Sequence, residues 1–348
     1  YHCLSSGINA EYMGVLFLTV RRMDLSIHAI CVMISMAWAC LCLLLPVYLL
    51  FKFLASSARR LVSGGGMRMD GKVVLVTGAS SGIGEQMVYE YARRGARVVM
   101  IARRKKMLQQ VAKRARDLGS PEALAVQGDV SRVEDCEQLV ADAVARFGRL
   151  DHLVNNAGIA SVCRVEEAKD IANFRAVMDT NFWGSVYATY FAIPHLKKTK
   201  GTIVVISSTA AFLNAPRISF YCASKAAMVS FFEALRVELH PSVTVTVAVL
   251  GFVESEMTAG KNLSGEGEME VNGTLRDVIR RSFPVMETEA CAKAVVRGAC
   301  RGERTVTVPA WYHGVMLLKR LCPELLELYF RLSCFTKYPN PPRPPHFD

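Results

Sequence analysis

No Asp, Glu, Lys or Arg interrupts the chain between Leu25 and Phe51. A soluble surface helix needs a polar face, so this gap excludes one. The run exceeds the roughly 20 apolar residues that cross a bilayer, and it outlasts the short core of a cleaved secretory signal. A second gap is acidic: no Asp or Glu occurs from Tyr91 to Arg116. The eleven cysteines contain no CxxC pair, which argues against structural zinc and against a secreted disulfide framework. Buried free thiols in a reducing compartment fit them better. No arginine-rich run carries interleaved aromatics, so the formal net charge of +11 does not point to nucleic acid. It points to an anionic membrane surface or a phosphorylated cofactor. Internal repeats are missing, and low complexity is confined to Pro339–Pro345.

What is present divides the chain. Tyr1 stands where a Met is usual, and Met23 opens directly onto the apolar run, so residues 1–22 read as an upstream extension. Residues 23–53 read as a hydrophobic membrane or lipid anchor, with Pro46 expected to kink or end a helix there. Residues 54–70 form a basic, glycine-rich linker containing Arg59, Arg60 and Gly64–Gly66. From Lys72 the pattern alternates. Strands are expected at Val73–Thr77, Arg97–Ile101, Ala123–Val126, Leu150–Val154, Thr202–Ile206 and Val243–Val249. Between them, helical periodicity marks Ile83–Arg94, Lys105–Leu118, Val133–Phe147, Phe174–Lys197 and Tyr221–Leu239. Alternation of this kind predicts an α/β fold, a doubly wound (Rossmann) parallel sheet with helices on both faces. It spans residues 71–309 and is followed by a C-terminal amphipathic segment and tail, residues 310–348.

The segment Thr77-Gly78-Ala79-Ser80-Ser81-Gly82-Ile83-Gly84 lies between the first strand and the first helix. Gly78 suits a tight turn, Gly82 a close backbone approach to pyrophosphate, and Gly84 close packing of helix on strand. The helix N-terminus then faces phosphates. At the end of the second strand an NAD site usually carries an acid for the ribose hydroxyl. Here Ala102 is followed by Arg103, Arg104, Lys105 and Lys106. Guanidinium groups at that point suit the 2′-phosphate of NADP(H). Tyr221 and Lys225, four apart, share a helix face. An ammonium beside a phenol lowers its pKa and readies it for proton exchange with a carbonyl or alcohol oxygen. A Tyr/Lys pair alone is usually incidental, but Ser207-Ser208 precedes it at a strand end.

With those motifs, Asp129-Val130, Asn155-Asn156-Ala157-Gly158 and Asn181, the chain resembles the short-chain dehydrogenase/reductase family from about Gly71 to Pro309. The resemblance implies Tyr221 as general acid/base and Lys225 as the residue that holds the nicotinamide ribose. It implies Ser208 on the substrate oxygen and Asn181 behind a proton-relay water. Asp129 and Val130 would approach the adenine, while Asn155, Ala157, Gly158 and Val253 would line the cofactor. Asn156 could instead brace the central sheet, and Asp129 could cap a helix. Leu250-Gly251, where Pro-Gly is common, resembles the 11-beta-hydroxysteroid dehydrogenase branch and its plant steroleosins, as do Phe182–Ser185 and Ser264–Glu268. That likeness implies NADP(H), a sterol-like hydrophobic substrate, a lipid-droplet or endoplasmic reticulum membrane surface, and room for a homodimer. Two further readings stand beside it: a reductase of other lipid carbonyls, and an idle lipid-droplet coat protein. The segment Glu254–Pro284 is expected to cover the substrate. Tyr312–Cys334 is expected either to pack on the domain or to touch lipid. Basic residues after the anchor, against Asp24 before it, place the catalytic domain in the cytosol. The sequons at Asn262 and Asn272 would report a lumenal domain.

Overall fold

The computed structural model describes residues 68–337 continuously and, before them, Val15, residues 30–36, Trp38, Cys40, residues 42–48 and Phe51. The chain forms two compact units, Tyr1–Gly66 and Met67–Asp348. Among the described residues, no helix is long and apolar enough to cross a membrane. Most of the expected extension, anchor and linker lies outside the described residues, as does Pro339–Pro345. Pro46 sits within helical residues 42–48 and does not end the helix there.

In the second unit, seven parallel strands form one sheet. They are β1 (Val73–Thr77), β2 (Arg97–Ala102), β3 (Ala123–Gln127), β4 (His152–Asn155), β5 (Thr202–Ser208), β6 (Thr244–Leu250) and, after a short two-stranded hairpin β7 (Lys261–Leu263) and β8 (Met269–Val271), β9 (Thr305–Val308). The order is β3-β2-β1-β4-β5-β6-β9. Strand order reverses between β1 and β4, and ligands of such sheets bind beyond the strand ends at that reversal.

The strand interiors are mostly apolar because both faces are covered. Val74, Val76, Val98 and Met100 point to one core, shared with α1 (Gly82–Arg93), α2 (Lys105–Asp117) and the later helix Thr288–Cys300. Val73, Leu75, Val99 and Ile101 point to the other, shared with α3 (Val133–Phe147), α4 (Gly184–Thr199) and α5 (Ser219–Glu238). The alternation along β1 and β2 is the two-residue period of a strand.

Three differences from the sequence expectation matter. The helix expected over Phe174–Lys197 is broken: a 3-10 turn at Ile171–Phe174 and a short α turn at Arg175–Met178 lead into a π turn at Asp179–Trp183, and only then into α4. A π turn inserts one residue into the ladder, and such insertions cluster at functional sites. This one is pinned by Asn181, whose buried side chain accepts from Ile159 N at 2.8 Å and donates to Ile159 O at 2.9 Å. The covering segment after β6 has structure that the sequence reading did not assign. It holds the β7–β8 hairpin and a helix at Gly273–Ser282, and Leu263 N donates to Ala160 O at 2.8 Å, tying the hairpin to the chain after β4. Finally, β9 extends the sheet beyond β6, the last strand expected.

Candidate active site

All the site residues named above line one cleft at the C-terminal ends of the strands, except Asn155 and Asn181. The nucleotide end is shaped by missing side chains. Gly78 has φ +64°, and a Cβ there would stand 2.7 Å from Ala157 Cα. A Cβ on Gly84 would collide with the Asn156 amide and the Gly78 carbonyl. A Cβ on Gly82 would make only ordinary contact with Ser255, at 3.7 Å, but its φ is +60°, so its need is conformational. Ser81 sits at the N-cap of α1 without a side-chain capping bond, so it leaves the helix N-terminal amides to another acceptor. A cradle that any Cβ would fill, beside unclaimed helix amides, fits a dinucleotide pyrophosphate.

Arg103 and Arg104 divide the work expected of them. Arg104 reaches back over the glycine loop and donates to Ser81 Oγ at 2.6 Å and to Ser80 Oγ at 3.1 Å. Arg103 is exposed and lies 3.8 Å from the Asp129 carboxylate. Asp129 is not a helix cap: its Oδ1 accepts from Ser131 N at 3.0 Å, folding the turn ahead of α3. Val130 packs where Gly184 permits, since a Cβ on Gly184 would meet Val130 Cγ2 at 2.8 Å.

The two exceptions stand behind the cleft. Asn155 is fully buried, and its amide donates to Thr189 Oγ1 of α4 at 2.8 Å. Asn156 is the one that lines the cleft, and its amide donates to Thr77 O at 2.9 Å, the bracing role that the sequence left open. Asn181 works through Ser224: it donates to Ser224 Oγ at 2.9 Å, which in turn donates to Tyr221 O at 2.8 Å. That chain positions α5 against the chain after β4.

Tyr221, Lys225 and Ser208 meet at the far end. The Lys225 ammonium is 5.8 Å from the centre of the Tyr221 ring and donates to Ile206 O at 2.8 Å. The expected lowering of the Tyr221 pKa does not occur. Burial pushes the phenol up to about 12, with a hydrogen bond to Ser208 acting against it. Burial also lowers Lys225 to about 8. Desolvation penalises both charged forms, and it outweighs an ammonium that has turned to a backbone carbonyl. Val253 contributes backbone: its pairing with Met286 runs through Phe252 O and Glu254 N, its two neighbours.

Several cleft residues carried no signal in the sequence. Ser255, Glu256, Thr258 and Lys261 reach it from the segment after β6. Tyr312, at the start of α8 (Tyr312–Leu321), presses so closely on Gly251 that any Cβ there would overlap its ring. The Lys319 ammonium donates to Phe212 O, fastening the same helix beside Ser208. These contacts join residues far apart in the chain, and no local spacing announces them.

This combination of sheet, glycine cradle and Ser/Tyr/Lys cluster is that of a dehydrogenase or reductase. A family model described as short chain dehydrogenase matches residues 72–265, and the chain belongs to that family of oxidoreductases. Among its relatives, 11-beta-hydroxysteroid dehydrogenase 1A of Arabidopsis thaliana is 52% identical over 296 residues, which cover 85% of this chain and 84% of that protein. 11-beta-hydroxysteroid dehydrogenase A of Sesamum indicum is 51% identical over 288 residues, 83% of this chain and 82% of that one. Among solved structures, a dehydrogenase/reductase from Sinorhizobium meliloti 1021 superposes with a TM-score of 0.61 at 29% identity, covering 70% of this chain and 95% of that one.

Proposed function

We propose that the chain is an NADP(H)-dependent oxidoreductase that interconverts a hydroxyl and a ketone on a hydrophobic, sterol-like molecule at a lipid surface. The end of β2 carries the cofactor reading. Ala102 stands where an acid would bind a ribose hydroxyl, and Arg104 is held over Ser80 and Ser81 where a 2′-phosphate would lie. The structure-related short chain dehydrogenase/reductase from Burkholderia phymatum was solved in complex with NAD. The substrate reading rests on the names of the plant relatives and on exposed leucines of the C-terminal helices. Leu317, Leu321, Leu325, Leu328 and Leu332, on α8 and the following helix, are all exposed. An exposed apolar face of that kind suits an interface with lipid.

A bound nicotinamide supplies the hydride in reduction and accepts it in oxidation. Tyr221 gives its phenolic proton to the carbonyl oxygen, or takes the alcohol proton in reverse. Ser208 holds that oxygen, and Lys225, anchored on Ile206 O, would hold the nicotinamide ribose when the nucleotide is bound. Consumption of NADPH and NADH with a panel of keto-sterols and fatty ketones tests the reading. NADPH should be preferred by about tenfold or more, with sterol ketones ahead of fatty ones. Equal use of the two nucleotides, or turnover confined to fatty carbonyls, would remove the corresponding half.

A lipid-droplet or endoplasmic reticulum location with a cytosolic domain belongs to the same proposal. Asn262 is 4% exposed, so it cannot serve as the glycosylation reporter the sequence suggested. Asn272 is exposed at the N-cap of the helix Gly273–Ser282 and remains usable. A glycosidase-sensitive mass increase on Asn272 in the expressed protein would place the domain in the lumen instead.

A further inference from the structure

The anion pocket at the end of β2 already contains an anion. Glu256, from the segment after β6, accepts from Arg104 Nη1 at 2.6 Å and from Lys261 Nζ at 2.7 Å. The Ser81 hydroxyl, which accepts from Arg104 Nη2 at 2.6 Å, stands beside them and helps to lower the carboxylate's pKa. These are the groups that would surround a phosphate: a guanidinium, an ammonium and a hydroxyl at the mouth of a helix. The helix that Arg104 caps, α2, opens with Lys105 and Lys106 and has no acid in its first turn. Its positive N-terminal end therefore has no negative neighbour of its own. Glu256 reaches the Arg104 guanidinium from 152 positions away in the chain.

We propose that the Glu256 carboxylate is an internal occupant of the pocket formed by Arg104, Ser81 and Lys261, which a 2′-phosphate must displace. Glu256 thereby sets how strongly the chain discriminates between phosphorylated and unphosphorylated dinucleotides. The inference rests on the proposed NADP(H) reading for the place where the phosphate would lie. The chemistry is asymmetric between the two nucleotides. A 2′-phosphate carries charge of the same sign as Glu256 and competes for the same donors. A 2′-hydroxyl is neutral, needs no guanidinium, and can itself donate to a carboxylate. Glu256 thus plays, from a distant segment, the part of the acid missing after β2. It penalises the phosphorylated nucleotide without excluding it. Against the opposing cost of burial, the bonds from Lys261 and Arg104 hold Glu256 in its charged form, well below the usual carboxylate range, so the competition persists across physiological pH.

The pocket also couples two events. Glu256 lies in the segment that leads into the β7–β8 hairpin, and Lys261 is the first residue of β7. Displacing the carboxylate frees that segment from Arg104 when the phosphate arrives and re-engages it when the phosphate leaves. Release of the used nucleotide is assisted by an intramolecular ligand waiting beside it.

Glu256→Gln tests this, since it keeps the shape and one acceptor while removing the charge. Dissociation constants of NADP+, NAD+, adenosine 2′,5′-bisphosphate and AMP are measured calorimetrically for the wild type and the variant. NADP+ and the bisphosphate should bind about fivefold tighter to Glu256→Gln, the effect of removing one like charge at contact distance in a solvated pocket. NAD+ and AMP should change less than about twofold or weaken. Unchanged or weaker NADP+ binding overturns the proposal and makes Glu256 a structural tie. If the wild type prefers NAD+, the cofactor reading falls, yet the shift between wild type and variant still decides the role of Glu256. Should Glu256→Gln fail to fold, Glu256→Asp is the second variant. Its retracted carboxylate should move NADP+ binding in the same direction, and any weakening there overturns the proposal equally.

Discussion

At the nucleotide end of the cleft, the walls are backbone: Gly78, Gly82 and Gly84 bring bare main chain to the surface, and Asn156 braces it from behind. At the substrate end the walls are side chains: Tyr312 pressed on Gly251, Lys319 on Phe212 O, and a hairpin laid over the chain after β4. A backbone wall depends on conformations that few residues adopt, so it tolerates little change. A side-chain wall depends on volume and reach, so it can be rebuilt for different molecules. The first end therefore defines the family and the second defines the particular substrate.

Four changes would sharpen or break that contrast. Tyr221→Phe, at the junction of the two ends, should lower turnover by on the order of a hundredfold or more. Nucleotide affinity, read by fluorescence titration, should hold within about twofold, and near-normal turnover would remove Tyr221 from the chemistry. Gly78→Val next attacks the backbone wall, because its side chain would enter Ala157 and its φ of +64° is costly for a branched residue. Nucleotide binding should fall by roughly tenfold or more, whereas substitutions of similar bulk at exposed substrate-end positions should be absorbed. If Gly78→Val binds normally, the contrast is wrong. Arg104→Ala should weaken NADP+ by about tenfold and Arg103→Ala by less, since only Arg104 bonds the loop serines. Equal effects would return Arg103 to the pocket.

Lys225 gives a test with a sign. Burial lowers its folded-state pKa to about 8, below the ordinary lysine value of 10.5. The cost of burying the ammonium is therefore fully present below about pH 8. It fades as the pH rises from there towards the unfolded value. Lys225→Met should abolish turnover yet raise thermal stability at neutral pH, by about 1 to 3 kcal/mol. The gain should shrink above about pH 8 as the wild-type lysine loses its proton, which calorimetric scans at several pH values would follow. A variant less stable than wild type at neutral pH would show that the ammonium is better satisfied than its contacts with Ile206 O and Met228 Sδ suggest.

The same contrast explains what the sequence made legible. The strands of the main sheet up to Leu250 follow from unbroken apolar runs, and the glycine loop, Ser208, Tyr221 and Lys225 from fixed local spacing. Each of these is a short-range property. The break at Asp179–Trp183 was hidden because a π turn keeps helical composition, and its cause is Asn181 gripping Ile159, 22 positions away. The sequence put Asn155 on the cofactor wall, whereas Asn156 lines it and Asn155 turns to Thr189, because adjacent residues at a strand end differ only in the side to which they point. Glu256 offered no signal at all: its meaning depends on Arg104, and the two meet only in the folded chain. The Tyr221 pKa was misjudged for a related reason, since pairing was visible in the sequence and desolvation was not.

The placement of β9 has a consequence for the order in which this chain can be assembled. Strands β1 to β4 are neighbours in the sheet and are complete at Asn155, so the nucleotide cradle can form while synthesis is still under way. The sheet is finished only when Thr305–Val308 arrives beside β6. At common rates of translation that interval lasts about 10 to 30 seconds. Throughout it the edge of β4, and then those of β5 and β6, stand successively open. Open edges of this kind recruit other chains. The nascent protein must be shielded longest on the side that will receive its substrate, and a truncation just before Thr305 would leave β6 as a permanent, adhesive edge.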